Sequence, residues 1–305
     1  MNGYRTHIFE QHTAPGGLCT AWRRQGYTFD GCLHWLVGSG RGKMLNQMWQ
    51  ELGALEGTRI FDFDTFYVFY GADGRTLHCY TDPGRLEKEL LGLFPDDRSV
   101  VEEVVGAVRA AQGYCEALDA MESGNVVQKA LAMPRLATFP GYAKKWDNLT
   151  VRELRAKAKD PLLGSAFLGY FPESMGAFFF LFTLGYLADK NAGVPEGVSL
   201  AFARRIEKRY TDLGGTLTYG AQVEKILVDG GKAVGIRLTD GSEHRADWVI
   251  SAADGYSTLY KLLNGRYLSP EAEAPYKGDL EVFPSTVQVS FGLDLDLSSL
   301  PSQQV

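Results

Sequence analysis

An acidic residue at the end of an apolar run, followed closely by a glycine turn, is the feature with the clearest chemical meaning. Ile8-Phe9-Glu10 closes the run and Pro15-Gly16-Gly17 follows. A carboxylate at the C-terminal end of the second strand of a βαβ unit accepts hydrogen bonds from ribose hydroxyls. Glycines leave backbone N–H groups open to a pyrophosphate. Pro-Gly-Gly alone is typical of a tight turn, but its place after Glu10 favours a dinucleotide site.

A second block with strand and turn character lies far downstream. A helical pattern follows Gly197 and stops at Gly214-Gly215. Apolar runs at 216–219, 223–228 and 233–238 predict short strands, the last two forming a hairpin. Residues 246–254 predict a buried strand that ends in small residues. Small residues at that end of a strand let a ligand approach the backbone, as in open α/β sheets.

Taken together, these motifs resemble a superfamily of flavoproteins: phytoene desaturases, carotenoid isomerases, retinol saturases and flavin amine oxidases. The order and spacing of that superfamily are matched by Glu10 with Pro15-Gly16-Gly17, Gly26-x-x-x-Asp30, Pro195-x-Gly197, Gly214-Gly215, Val223-x-x-Ile226 and Asp247-x-Val249-Ile250-Ser251-Ala252. Within it, the pattern resembles the phytoene desaturase and carotenoid isomerase branch. The resemblance covers the two blocks and is weak between them.

The resemblance implies a role for each matched residue. Glu10 would bind the adenosine ribose of FAD, and Pro15, Gly16 and Gly17 would lie along the pyrophosphate and ribityl chain. Val223 would reach the adenine through its backbone, and Ala252 and Ala253 would pack on the cofactor side of the sheet. Residues 31–35 would lie beside the flavin ring, so His34 is the candidate proton relay. No other catalytic side chain is predicted.

Two departures from the family pattern accompany the resemblance. Leu18 stands where many relatives carry Arg. The residues before Glu10 leave no room for a first strand, a Gly-x-Gly-x-x-Gly loop and a helix, and the C-terminal flavin-contacting segment is not found before Val305. The resemblance therefore implies a fragment of a longer enzyme, which either holds FAD or, because it lacks these pieces at both ends, does not.

Composition fits part of a larger globular enzyme. The 305 residues are 45% hydrophobic and 22% charged, enough to bury a substantial core. The net charge of −6 argues against nucleic acid as a partner. Four cysteines, Cys19, Cys32, Cys79 and Cys115, lack the spacing of a zinc site or a redox pair and fit a reduced cytoplasm. No metal site and no signal peptide are predicted.

The region between the two blocks has a different character. Helical patterns are predicted at 42–55, at 83–94 after an Asp82 cap, from Ser99 to about Glu122, at 126–132 and at 151–159, with a hairpin around the Gly71-Ala72-Asp73-Gly74 turn. Beyond the second block, residues 282–293 alternate as a strand that would rejoin the substrate sheet.

Residues 162–188 are the most apolar stretch of the chain. A membrane span needs about 20 unbroken apolar residues, and Pro172-Glu173-Ser174 interrupts this stretch. Two interpretations stay open. The stretch forms two buried helices, or its aromatic residues line a channel for a long apolar substrate or dip into a bilayer to extract one.

The predicted fold is α/β: an incomplete, three-layer, Rossmann-like FAD-binding domain with an inserted α+β substrate domain. The FAD-binding domain takes residues 1–45 and 195–262, and the substrate domain takes 46–194 and 263–305. This organisation predicts an FAD-dependent oxidoreductase that acts on carbon–carbon bonds of an isoprenoid or other apolar substrate, cytoplasmic or peripheral at a membrane. Alternatives are a flavin amine oxidase, a truncated lipid-binding polypeptide without flavin and, with less support, a nicotinamide dehydrogenase. Oligomeric state is not predicted.

Overall fold

A computed structural model describes residues 3–168, 171–278 and 287–296. Within them the strands are β1 (His7–Phe9), β2 (Ala21–Arg24), β3 (Tyr27–Asp30), β4 (Leu36–Val37), β5 (Ile60–Phe61), β6 (Thr65–Tyr70), β7 (Thr76–Tyr80), β8 (Ala192–Pro195), β9 (Thr216–Thr218), β10 (Val223–Asp229), β11 (Lys232–Leu238) and β12 (Glu243–Arg245). The α-helices are α1 (Met44–Glu51), α2 (Pro83–Leu93), α3 (Arg98–Ser123), α4 (Val126–Asp147), α5 (Val151–Ala156), α6 (Pro161–Leu168), α7 (Ala177–Ala188), α8 (Val198–Asp212) and α9 (Pro270–Glu273). Ser257–Leu262 form a π-helical segment.

The larger hydrophobic core lies among α2, α3, α5, α6, α7 and the β6–β7 hairpin. Fully buried side chains include Phe66 on β6, Val105 on α3 and Leu181 on α7. The predicted hairpin and the predicted helix after Asp82 are both present, and the Asp82 side chain accepts a hydrogen bond from the Arg85 amide at 2.8 Å. These elements were predictable because each carries its own periodicity and turn or cap residues.

Two predicted helices in this region are present, but the end predicted for one and the cap predicted for the other are wrong. The helix predicted at 126–132 is the 22-residue α4, which continues through Pro134 and Pro140. Its tertiary packing outweighs the loss of two backbone donors. Ser99 does not cap α3, because the helix begins one residue earlier with Asp97 as its cap position. The Asp97 carboxylate instead accepts hydrogen bonds from the Lys159 and Asp160 amides at 2.7 and 2.9 Å.

The most apolar stretch of the chain forms core helices. Phe180, Leu181 and Leu184 of α7 are buried against α3 and α6. Of the two interpretations of residues 162–188, the structure therefore favours buried helices over a surface that enters a bilayer. None of the helices in the described ranges combines the length and the apolar character needed to cross a membrane.

Short sheets make up the second region. β1 and β9 pair in parallel, with His7 opposite Thr216 and Phe9 opposite Thr218. β10, β11 and β12 form a separate antiparallel sheet. The two sheets touch where the ring centroids of Phe9 and His244 lie 4.5 Å apart. Helix α8 precedes β9 and follows β8, which pairs with both β4 and β5.

The strand predicted to be buried at 246–254 is a mostly exposed segment without regular secondary structure, so that prediction is wrong. Its side chains Trp248 and Ile250 are 78% and 92% exposed. After the bond from the Ala246 amide to the Val234 carbonyl, no strand in the described ranges pairs with it. Apolar residues need a covering layer as well as a favourable pattern, and the described residues supply none here.

The strand predicted at 282–293 lies in a segment that is described only over 287–296, and residues 282–286 of the prediction lie outside the described residues. Residues 287–296 are not a regular strand. The Gln288 side chain donates to the Asp30 carbonyl at 3.2 Å, so the polar side of the segment contacts β3.

Candidate cofactor site

Glu10 lies directly after β1, at the carboxyl end of the parallel pair. Its amide donates to the Thr218 carbonyl at 2.9 Å, and its carbonyl accepts from the Ala221 amide at 2.9 Å. The half-buried side chain accepts a hydrogen bond from the His12 amide through Oε1, at 2.8 Å. Oε2 makes no hydrogen bond to any residue that the structure describes. One carboxylate oxygen is thus anchored while the other can accept from a bound hydroxyl.

The two glycines of the loop that follows Glu10 have different surroundings. Gly16, at φ +102°, is held against α8, where an added Cβ would come within 2.8 Å of the Ala203 Cβ. Gly17, at φ +56°, faces open space, with no atom within 4 Å of an added Cβ. Gly16 therefore closes the loop onto the helix, while Gly17 leaves its backbone accessible to a ligand.

A carboxylate–hydroxyl pair joins the loop region to α8. Asp30 Oδ1 accepts from the Ser199 hydroxyl at 2.7 Å, and Asp30 Oδ2 accepts from the Ser199 amide at 2.8 Å. Ser199 is fully buried and also accepts the Leu33 amide at 2.9 Å. Because α8 begins at Val198 after a glycine that has no capping side chain, Asp30 places the negative charge that a helix N-terminus favours.

This Asp30–Ser199 pair fixes the path of residues 31–35. The Asp30 carboxylate also accepts from the Cys32 amide at 3.2 Å. His34 is exposed, and its ring centroid lies 6.1 Å from that of Trp35. Trp35 in turn packs edge-on against the buried Phe66, with centroids 5.5 Å apart. The segment therefore connects the glycine loop region to the helical core. The sequence singled out Asp30 without a role, and nothing in the sequence singled out Ser199.

Sequence spacing did not predict the proximity of two cysteines. Cys19, after the glycine loop, lies near Cys32, and burial together with the neighbouring Cys32 thiol raises the pKa of Cys19. The Cys19 thiol is 3.8 Å from the Ser199 carbonyl oxygen. Cys79 and Cys115 are buried in the helical region, and burial raises the pKa of each to about 12. Thiols with raised pKa values are poor nucleophiles at neutral pH.

Of the remaining predicted site residues, Val223 lies near Glu10, whereas Ala252 and Ala253 lie in an exposed segment. Val223 starts β10, two residues after Ala221, whose amide bonds to Glu10, so this backbone passes close to the glutamate. Ala252 and Ala253 lie in the exposed segment after β12 rather than in a sheet. The structure thus brings Glu10, the glycine loop and the start of β10 into one neighbourhood, and it does not place the two alanines on the face of a sheet.

A parallel strand pair with a carboxylate at its carboxyl end, a glycine turn beside it and a helix N-terminus nearby is typical of α/β proteins that bind nucleotides. The family model described as flavin containing amine oxidoreductase matches residues 1–276. The chain belongs to that family, whose members are oxidoreductases that carry a flavin.

Similar proteins with assigned names are carotenoid and retinoid enzymes. A phytoene desaturase (lycopene-forming) from Pseudescherichia vulneris is 27% identical over 86% of this chain and 53% of its own length. The chloroplastic prolycopene isomerase of Arabidopsis thaliana is 25% identical over 96% of this chain and 51% of its own. The all-trans-retinol 13,14-reductase of Danio rerio is 26% identical over 96% and 50%. The chain thus spans about half the length of the curated relatives it matches.

A solved structure supports the α/β fold. The crystal structure of an oxidoreductase from Methanosarcina mazei matches with a TM-score of 0.58 and 20% identity, covering 90% of this chain and 59% of that one.

Proposed function

We propose that the protein is an FAD-dependent oxidoreductase acting on carbon–carbon single or double bonds of an isoprenoid or other apolar substrate, by desaturation, saturation or isomerisation. The observation that carries the proposal is the half-buried Glu10 at the carboxyl end of β1, beside the glycine loop. The names of the similar desaturases, isomerases and reductase support the substrate class.

The described residues fit the adenosine and pyrophosphate part of FAD. Glu10 Oε2 would accept from the ribose hydroxyls, Gly17 would offer its backbone to the pyrophosphate, and Pro15 and Gly16 would fix the loop on α8. The backbone of Val223 would border the adenine. Ala252 and Ala253 do not lie in a sheet but remain candidates for contact with the cofactor. His34 remains the candidate proton relay. When bound, the flavin supplies the redox chemistry that an unactivated C–H or C=C bond needs.

The division into domains is part of the proposal. Residues 1–45 and 195–262 would form the incomplete Rossmann-like FAD-binding domain, and 46–194 and 263–305 the inserted substrate domain. An isoprenoid substrate dissolves in bilayers rather than in water, so peripheral membrane contact also belongs to the proposal.

A flavin amine oxidase is the second candidate, and the description of the matching family model favours it. The two candidates differ in what they turn over. Amine oxidation with release of peroxide, and no conversion of polyenes, would favour the amine oxidase. A lipid-binding polypeptide without flavin would convert neither substrate and would not take up FAD.

Flavin titration of the purified chain tests the cofactor assignment. We expect FAD to bind, measured by quenching of its fluorescence, and Glu10→Gln to weaken binding about 10- to 100-fold, since a hydrogen bond to a charged group contributes about 1.5–3 kcal/mol. FMN, which lacks the adenosine, should bind both proteins equally. Glu56→Gln, at an exposed position outside the site, is the matched control. Equal FAD affinity of the wild type and Glu10→Gln would overturn the role of Glu10.

A further inference from the structure

Helix α4 presents apolar side chains to solvent along most of its length. Val126, Val127, Leu131 and Met133 are 83%, 67%, 70% and 56% exposed. The outward side continues with the exposed residues Ala130, Pro134, Ala137, Pro140 and Gly141. Residues separated by three, four and seven positions share one side of a helix. The side that faces solvent, which is polar in an ordinary surface helix, is therefore apolar over about four turns.

The opposite side of α4 packs against helices α3 and α7 of the same chain. Ala132 and Trp146 are buried. The Phe139 ring lies 4.8 Å from that of Tyr114 on α3 and 5.7 Å from that of Phe182 on α7, measured between centroids. Because this inner side fixes α4 on the core, the exposed apolar side is held in place rather than free to turn inward.

The charge of α4 is mostly basic. The helix contains Lys129, Arg135, Lys144 and Lys145 and one acidic residue, Asp147, at its last position. Arg135 pairs with Glu116 and Lys145 with Glu103, each at 3.1 Å, whereas Lys144 makes no ion pair within the residues that the structure describes. Lys144 and Lys145 lie at the C-terminal end of the apolar side and are exposed. The protein as a whole carries a net charge of −6, so a basic, apolar surface is a local exception. Basic residues beside an apolar helical face are the combination that binds anionic lipid surfaces.

The two prolines limit how deeply α4 can enter lipid. Pro134 and Pro140 lack N–H groups, so the Ala130 and Leu136 carbonyls lose their helical donors. Such carbonyls can be hydrated at the headgroup level and are costly in hydrocarbon. The arrangement therefore fits a helix that lies in the interface plane.

We propose that the outward side of α4 (Val126, Val127, Ala130, Leu131, Met133, Pro134, Ala137, Pro140, Gly141, Lys144 and Lys145) is a docking surface for an anionic bilayer. This inference deepens the proposed function and rests on it for the reason to approach a bilayer, which is access to an apolar substrate. Binding to vesicles is measured without flavin or substrate, so its failure leaves the flavin assignment standing, and failure of FAD binding leaves the vesicle result standing.

Vesicle flotation tests the apolar part of the surface. Wild-type protein should float with vesicles of phosphatidylcholine and phosphatidylglycerol. The Val127→Gln/Leu131→Gln variant should lose at least about tenfold in affinity, because two exposed apolar side chains no longer enter the interface. Trp248→Gln/Ile250→Gln, which removes two even more exposed apolar side chains from another surface, should bind like the wild type. Circular dichroism checks that each variant keeps its helices.

Vesicles of phosphatidylcholine alone test the charged part. Wild-type binding should fall by about tenfold or more without the anionic lipid and should weaken with salt. Lys144→Gln should weaken binding to anionic vesicles, and Lys208→Gln, exposed on α8, should not.

Three outcomes would overturn the proposal. They are no flotation of the wild type, equal flotation of the Val127→Gln/Leu131→Gln variant, and equal loss in the Trp248→Gln/Ile250→Gln control. Concentration-dependent self-association that this α4 variant abolishes, without vesicle binding, would assign the surface to a second copy of the chain instead.

Discussion

Two regions of the molecule differ in how well their apolar side chains are buried. The helical region consists of α2–α7 and the β6–β7 hairpin, and the cofactor region consists of β1, the glycine loop, α8 and β9–β12 with the segment that follows β12. In the helical region, Phe66, Leu163 and Leu181 are fully buried in one continuous core. A second, smaller cluster contains Leu36 and Phe202 together with Leu55 of the proposed substrate domain, and the cofactor region leaves Trp248 and Ile250 in solvent. We infer that the helical region is ordered by its own packing, whereas the cofactor region depends more on what binds to it.

The prediction with the largest expected effect on stability is the truncation of a core side chain. Phe180 of α7 is 2% exposed and packs against Phe167 and Phe171. Phe180→Ala should lower the free energy of unfolding by about 3–5 kcal/mol, through lost burial and the cavity left behind. Ile250→Ala, at a position that is 92% exposed, should change it by less than about 0.5 kcal/mol. Urea denaturation measures both, and comparable losses would show that the cofactor region is better packed than its exposure indicates.

Flavin binding should stabilise the cofactor region and leave the stability of the helical region unchanged. At about 100 times its Kd, FAD should stabilise the cofactor region by about 2.7 kcal/mol. Hydrogen exchange should then slow at the Glu10 and Ala221 amides, which bond across the β1–β9 end. It should stay unchanged at the Val151 and Ala177 amides, which bond within the helical region. Equal slowing at all four amides would mean that the two regions open as one cooperative unit.

The same difference explains which sequence predictions succeeded. The β6–β7 hairpin and α2 carry local signals, a turn and an Asp82 cap, and both were predicted. The exposed segment containing Trp248 was predicted as buried, because an apolar pattern does not reveal whether a covering layer is present. α4 was predicted too short. Proline normally ends a helix, whereas here packing through Phe139 and Trp146 holds the helix past Pro134 and Pro140.

The features of the candidate site also divide into those that the local sequence indicates and those that depend on tertiary contacts. Glu10 and the Gly16-Gly17 turn could be proposed as site residues from the sequence, because residue type and order carry their chemistry. The Asp30–Ser199 pair joins residues far apart in sequence, and the proximity of Cys19 to Cys32 depends on the same fold, so neither could be found from spacing. Contacts of this kind follow from tertiary structure, which one sequence does not display.

The finest test of packing compares two glycines in the helical region. At Gly185 of α7, an added Cβ would lie 2.9 Å from the Ala111 carbonyl carbon and the Gln112 amide nitrogen of α3, which are backbone atoms. At Gly106 of α3, no atom lies within 4 Å of an added Cβ. Gly185→Ala should destabilise by about 1–3 kcal/mol, because two helices must separate. Gly106→Ala should stabilise by about 0.5–1 kcal/mol, because alanine favours the helix more than glycine does.

Urea denaturation of the two glycine variants gives opposite signs if α3 and α7 are as closely packed as the structure shows. Both substitutions add the same methyl group to a helix, so helix propensity cancels in the comparison and the difference reports the contact alone. Stabilisation by both substitutions would contradict the close approach of α3 to α7. It would also weaken the inference that the helical region is ordered by its own packing, since Gly185 and Ala111 form one of the close contacts in that packing.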